Sequence, residues 1–213
     1  MKNELLKRIL SSVTLLAVAF FFIIKGSIFF IFFIIAVLTI ALYEWHFLSL
    51  KKIYYLPGFI FIIFSLYTCY FFRNEGDYIY FLLILITCIS TDIGGYFFGK
   101  ILKGPKLHKI SPNKTYSGMI GGFILSIISS NLYYNNLSFF TQTNDTEMNI
   151  RIIIIVLYIS FVSQFGDFVI SFFKRKSNFK NTGNIIPGHG GLLDRIDGMI
   201  FAFPSTYILL KVL

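Results

Sequence analysis

Apolar positions along this chain of 213 residues neither alternate nor form stripes. They continue unbroken for about 17 to 25 residues at a time, enough to cross ~30 Å of hydrocarbon as a helix. A soluble domain would show amphipathic stripes instead. Seven runs predict seven spans, roughly Ile9–Ile24, Ser27–Leu50, Tyr54–Phe72, Tyr78–Phe98, Gly118–Tyr134, Ile150–Phe173 and Ile196–Leu213. Strands of a membrane barrel would be ~10-residue alternating segments, whereas every position from Phe29 to Ile35 is apolar. The predicted fold is an all-α polytopic membrane protein of about seven transmembrane helices. It is one integral membrane domain, with N-terminal helices over 1–80 and a C-terminal region over 81–213 that carries the chemistry.

Composition agrees, with 56% hydrophobic residues and a mean hydropathy of +0.74. Lys2, Lys7 and Arg8 precede the first run, but no small-x-small cleavage site follows, so the first helix is read as retained. Cys69 and Cys88 sit singly inside apolar runs and suggest neither a disulfide framework nor a zinc site. Lysine plus arginine exceed aspartate plus glutamate by 19 to 10. In a membrane protein the loops that hold the excess set the orientation. Basic residues cluster before the first span, after the second (Lys51, Lys52), after the fourth (Lys100, Lys103, Lys106, Lys109, Lys114) and after the sixth (Lys174, Arg175, Lys176, Lys180). Intervening loops are poor in them, and 135–149 carries Asp145 and Glu147 with no lysine or arginine. The N-terminus and both long basic loops are therefore expected in the cytoplasm, with a polar cavity on that side and the C-terminus outside. A nucleic-acid partner is not expected. Contact with anionic lipid explains the basic charge, but not the glycines, histidines and aspartates among it.

Charged side chains inside spans are costly and usually functional. Asp92 and Asp167 lie near the predicted cytoplasmic ends of the fourth and sixth runs; each alone reads equally as a site residue or as a packing carboxylate. After Asp92 come Gly94, Gly95 and Gly99, which permit close approach of a neighbouring helix. The loop from Lys109 to Gly118 offers lysines, hydroxyls and backbone donors, Ser111 and Lys114 among them, a set suited to an anionic ligand. Gly118 and Gly122, four apart, read as helix packing.

The densest polar stretch runs from Gly166 to Gly198. If the sixth helix continues through Arg175, then Asp167, Ser171 and Lys174 follow i, i+4, i+7 and form one polar stripe. Asp194 and Asp197, three apart, can likewise point together. Two carboxylates from separate helices beneath several cations resemble a magnesium site for a polyphosphate, because magnesium takes a few carboxylates plus substrate oxygens. Between them Gly188-His189-Gly190-Gly191 reads as an irregular turn whose freed N–H groups suit phosphate oxygens. His189, flanked by glycines and near Asp194, reads as a substrate contact, whereas His46 keeps a structural reading.

This segment resembles the phosphatidate cytidylyltransferases, or CDP-diacylglycerol synthases. Their signature runs S-x-hydrophobic-K-R, four residues, K-D, then P-x-H-G-G-x-x-D-R-x-D. Ser171, Phe173, Lys174, Arg175, Lys180, Pro187, His189, Gly190, Gly191, Asp194, Arg195 and Asp197 match it at the required spacing, a dozen positions within 27 residues. Asp92 to Lys100 and Ser111 to Gly122 resemble that family's upstream blocks, so the likeness covers roughly the last 120 residues. The first 80 resemble it only as apolar helices. Asn181 stands where the family has aspartate, and the chain is short for the family, so the helix count and dimer contacts of relatives are not carried over.

The resemblance implies attack by phosphatidic acid on the α-phosphorus of CTP, with loss of pyrophosphate. It implies Asp167 and Asp194 as ligands of Mg2+, with a second cation open. Lys174, Arg175, Lys180 and Arg195 would meet phosphates, with Ser171, His189 and Asp197 completing the catalytic set. Asp92, Ser111, Lys114, Gly190 and Gly191 are expected on the substrate side. Membrane lipid is an expected partner, and a homodimer stays open. The expected location is the bacterial inner (plasma) membrane. A cation-coupled transporter would place Asp92 and Asp167 on an ion path, yet no inverted repeat is evident and the polar residues crowd one side. A lipid-phosphate binding member without turnover is the reading that Asn181 leaves open.

Overall fold

A computed structural model describes residues 2–50, 52–76, 78–108, 111–141, 150–186 and 190–212. Among them are seven helices: α1 (Lys2–Lys25), α2 (Ser27–Ser49), α3 (Tyr55–Asn74), α4 (Tyr78–Leu102), α5 (Tyr116–Thr141), α6 (Ile150–Lys176) and α7 (Leu193–Val212). They follow the apolar runs closely. Of these, α2, α3, α4 and α6 are long and apolar enough to cross a membrane, and Val13–Lys25 is a shorter apolar stretch. Between α4 and α5 lies a small antiparallel hairpin, β1 (Lys106–His108) and β2 (Ser111–Thr115), pairing Lys106 with Thr115 and His108 with Ser111. Sequence reading expects only a loop there, because no alternation of apolar residues announces so short a pair of strands. The two helices bring the strand ends together.

Large apolar side chains cover the outside of the bundle as well as filling its core, and the core also takes in small hydroxyl residues. Phe20, Phe32, Ile35, Ile60, Ile128 and Ile154 are exposed, while Thr87, Thr91, Ser126, Ser130, Ser160 and Ser163 are buried. In hydrocarbon a large side chain gains nothing by leaving lipid, so helices associate through small residues and interhelical hydrogen bonds. Thr91 on α4 donates to Ser160 Oγ on α6 at 2.8 Å, and Thr87 meets Ser130 on α5 at 3.2 Å. The tightest interface joins α4 to α5. A Cβ added at Gly94 would lie 2.5 Å from the Gly121 carbonyl oxygen, and one at Gly118 would lie 2.6 Å from that of Gly95. Gly122 is also confined, though less tightly, 3.0 Å from the Thr91 oxygen. These glycines pack.

Pro204 interrupts α7. Having no N–H, it cannot satisfy the carbonyl four residues earlier. That carbonyl, of Ile200, instead accepts Ser65 Oγ from α3 at 2.7 Å. The repair is necessary because an open backbone group in hydrocarbon costs several kcal/mol.

Two sets of contacts define the bundle's ends. At one, Arg73 donates through Nε (2.9 Å) and Nη2 (2.7 Å) to the Ile23 carbonyl, with its guanidinium 4.7 Å from the centre of the Tyr78 ring. At the other, Ser177 donates to the Leu48 carbonyl at 2.6 Å and meets the Tyr54 hydroxyl at 3.2 Å. The C-termini of α2, α4 and α6, the N-termini of α3, α5 and α7, and the hairpin therefore share this second end.

Candidate active site

Every described candidate side chain lies toward that second end. Helix α6 continues through Lys176, so Asp167 and Lys174 share a face as the i, i+7 spacing requires. Helix α7 reaches Asp167 because two glycines remove bulk from the seam. A Cβ at Gly166 would sit 2.9 Å from the Asp197 carbonyl oxygen, and one at Gly198 would strike Ser163 Oγ.

The first cluster forms here. Asp167 Oδ2 accepts Lys114 Nζ from β2 at 2.6 Å, with the side chains 25% and 32% exposed. The buried Asp197 places its carboxyl within hydrogen-bonding contact of Asp167. Asp92, exposed on α4, has Asp167, Lys114 and Arg195 as charged neighbours. Two carboxyls in contact must share a proton or a cation.

The second cluster lies on the connection between α6 and α7. Helix α6 ends where Asn178 turns left-handed (φ 59°) and the Phe179 N–H returns to the Lys174 carbonyl at 2.8 Å. Farther along, the Ile186 N–H bonds the Gly190 carbonyl at 2.9 Å, with Gly190 at φ +92°. Asp194, in the first turn of α7, accepts Lys174 Nζ on Oδ1 at 2.6 Å. Its Oδ2 accepts the N–H groups of Thr182 (2.9 Å) and Gly191 (3.2 Å). Both of its oxygens are engaged. Asp194 and Asp197 thus serve different neighbours despite their spacing.

A fifth carboxylate was missed by the sequence reading. Glu44 of α2 is 1% exposed. Its Oε1 accepts the Leu192 N–H, and its Oε2 accepts the Leu193 N–H and the Thr182 hydroxyl, each at 2.8 Å. The signal was available: Glu44 is a charge within an apolar run, the criterion that singled out Asp92 and Asp167. Its neighbour His46 bonds the Tyr55 hydroxyl through Nδ1 at 2.8 Å, a structural role.

Around these clusters Arg175, Lys180 and Arg195 are exposed, as is Asn181, and Ser171 is half-buried. Ser111 belongs to β2, but its side chain, like all of His189, is outside the described residues. The Gly191 N–H turns inward to Asp194. An added Cβ at Gly191 would meet Thr182 Oγ1 and lie 2.5 Å from Glu44 Oε2.

Among the described residues no group of three or more His, Cys, Asp or Glu side chains forms a ready-made metal cage. Magnesium does not need one, since it commonly uses one or two carboxylates and completes its shell with water and phosphate. The neighbouring carboxyls of Asp167 and Asp197, with Asp92 beside them, fit such an ion.

The sequence model of the cytidylyltransferase family matches residues 53–213. The chain belongs to this family. Phosphatidate cytidylyltransferase of Rickettsia bellii is 35% identical over 211 residues, covering 98% of this chain and 91% of that protein. The Staphylococcus aureus (strain COL) protein of the same name is 42% identical over 142 residues, 65% of this chain and 51% of its own. That of Bacillus subtilis is 38% identical over 136 residues, 63% and 48% respectively. The chain therefore spans about half the length of the latter two cytidylyltransferases. Both site clusters fall inside the family match; α1 and α2, and with them Glu44, fall outside it.

Proposed function

We propose that this membrane protein transfers the cytidylyl group of CTP to phosphatidic acid, giving CDP-diacylglycerol and pyrophosphate for phospholipid synthesis. The observation that carries the reading is the gathering of Asp92, Lys114, Asp167, Lys174, Asp194 and Asp197 at one end of a lipid-facing bundle, on the segment that matches the family. A phosphate oxygen of the lipid bonds to the α-phosphorus of CTP, and the bond from that phosphorus to the bridging oxygen of the β-phosphate breaks. The attacking oxygen is already anionic, so no general base is needed. What the reaction needs is two polyanions held in line with their charge neutralised.

Arg175, Lys180 and Arg195, exposed at the rim, meet phosphates, while Lys174 is oriented by Asp194. On this reading Ser171, His189 and Gly190 contact substrate, with Asp92, Ser111 and Lys114 on the nucleotide side, while Gly191 packs against Thr182 and Glu44. The Asp167–Asp197 pair would hold Mg2+, joined by Asp194 if its lysine turned aside. The ion, when bound, neutralises phosphate charge and polarises the phosphoryl group. The polar end faces the cytoplasm of a bacterial inner membrane, where dissolved CTP and leaflet-held lipid both reach it.

Purified protein given labelled CTP, phosphatidic acid and magnesium yields lipid-extractable CDP label; no such label, with the protein folded, overturns the reading. Orientation has its own test. A cysteine replacing Lys106 is expected to react with an impermeant reagent only after permeabilisation, and one replacing Glu75, at the other end, from outside.

A further inference from the structure

We infer that Glu44 is a positioning residue for the transfer reaction: from the second helix it clamps the start of α7 to the 182–183 segment and so fixes where Asp194 and Lys174 stand. The inference rests on the cytidylyl-transfer reading and adds to it a residue outside the segment that the family's sequence model matches. The first N–H groups of a helix have no partner within it, and a carboxylate meets them best because it also opposes the helix dipole. Glu44 meets two of them, at Leu192 and Leu193, from a different helix. Its third bond, from the Thr182 hydroxyl, reaches back across the connection.

The backbone N–H of that same Thr182 bonds Asp194, which holds Lys174. One chain of contacts thus runs Glu44, Thr182, Asp194, Lys174. The pocket around the carboxylate is shaped to it, since Cβ atoms at Gly183 and Gly191 would lie 2.8 and 2.5 Å from its oxygens. Helix capping alone would need neither the hydroxyl nor the two glycines.

Glutamine at this position keeps the shape but turns one acceptor into a donor, leaving an N–H group of Leu192 or Leu193 opposed by another N–H. In full-length protein in detergent, Glu44→Gln is expected to lower kcat by about tenfold or more while KM for CTP stays within about threefold. Amide exchange in the peptide spanning 182–193 rises at the same time. Thr182→Val removes only the hydroxyl bond and lowers kcat by about threefold to fivefold with a near-native melting temperature. The double variant is no worse than Glu44→Gln alone, because both break one chain of contacts.

Ser65→Ala is the structural control. It opens the Ile200 carbonyl, outside the chain of contacts from Glu44 to Lys174, lowers the melting temperature and leaves kcat unchanged. The inference is overturned if Glu44→Gln keeps native kcat, or if it and Ser65→Ala lose kcat alike in step with stability. Should Glu44→Gln not fold, Thr182→Val decides, and a kcat within twofold of native sinks the proposal. A native chain without transfer refutes the function reading instead. In that case unchanged exchange over 182–193 in Thr182→Val removes the clamp as well.

Discussion

Asp167 and Asp194 are equals in the sequence, two aspartates near the ends of apolar helices and both expected to hold metal, yet the fold gives them different neighbours. Asp194 is 9% exposed, with one oxygen on Lys174 and the other on two backbone N–H groups. Asp167 is 25% exposed, has a single lysine partner, and touches another carboxyl. A carboxylate satisfied by fixed donors is a structural anchor. One pressed against a second carboxyl lacks positive charge, which a shared proton or a bound cation would supply. The difference comes from position on the helices: Asp194 caps the first turn of α7, whereas Asp197, one turn on, reaches α6.

Neutralising each carboxylate in turn tests that division. Asp167→Asn is expected to have the largest effect, lowering turnover by two orders of magnitude or more, about 3 kcal/mol of barrier, with little change in melting temperature. Asp194→Asn lowers turnover and also stability, by about 1–3 kcal/mol, because the amide presents a donor where Lys174 or a backbone N–H needs an acceptor. Equal melting temperatures for the two variants would dissolve the comparison. Gly191→Ala attacks the Asp194 side alone by driving a methyl group into Thr182 and Glu44; about tenfold loss of turnover is expected, with a lower melting temperature. The smallest effect belongs to Asn181→Asp, which restores the family's charge at an exposed position beside Gly190. Its magnesium requirement shifts modestly downward and its turnover stays within about tenfold, or ~1.4 kcal/mol. A native chain without transfer beside an active Asn181→Asp would mark a degenerate member of the family.

Helices, their approximate ends and the polar stripe from Asp167 to Lys174 were legible because an apolar run of fixed length and a spacing of 3.6 residues are local properties. The close glycines of α4 and α5 were legible for the same reason. Partner choice was not. That Asp197 rather than Asp194 meets Asp167 depends on the depth at which α7 crosses α6, set by Gly166 and Gly198 together. The hairpin was hidden because its pairing is imposed by the helices at its ends. Glu44 was visible as a charge in hydrocarbon, but its partners lie 138 to 149 residues away in the chain, and no local pattern connects them.

The glycine seam between α4 and α5 also bears on how the chain is assembled. A protein made from its N-terminus completes these helices and their hairpin before α6 exists. They adjoin in sequence and meet backbone to backbone, so this pair can form as a unit in the bilayer. Lys114 then arrives at the membrane surface with Asp92 nearby and without Asp167, its eventual partner. The lysine gains its partner when α6 inserts. Synthesis thus builds the side that carries Asp92 and Lys114 first and leaves the carboxyl pair, which exists only once α7 has docked on α6, as the last part of the site to appear.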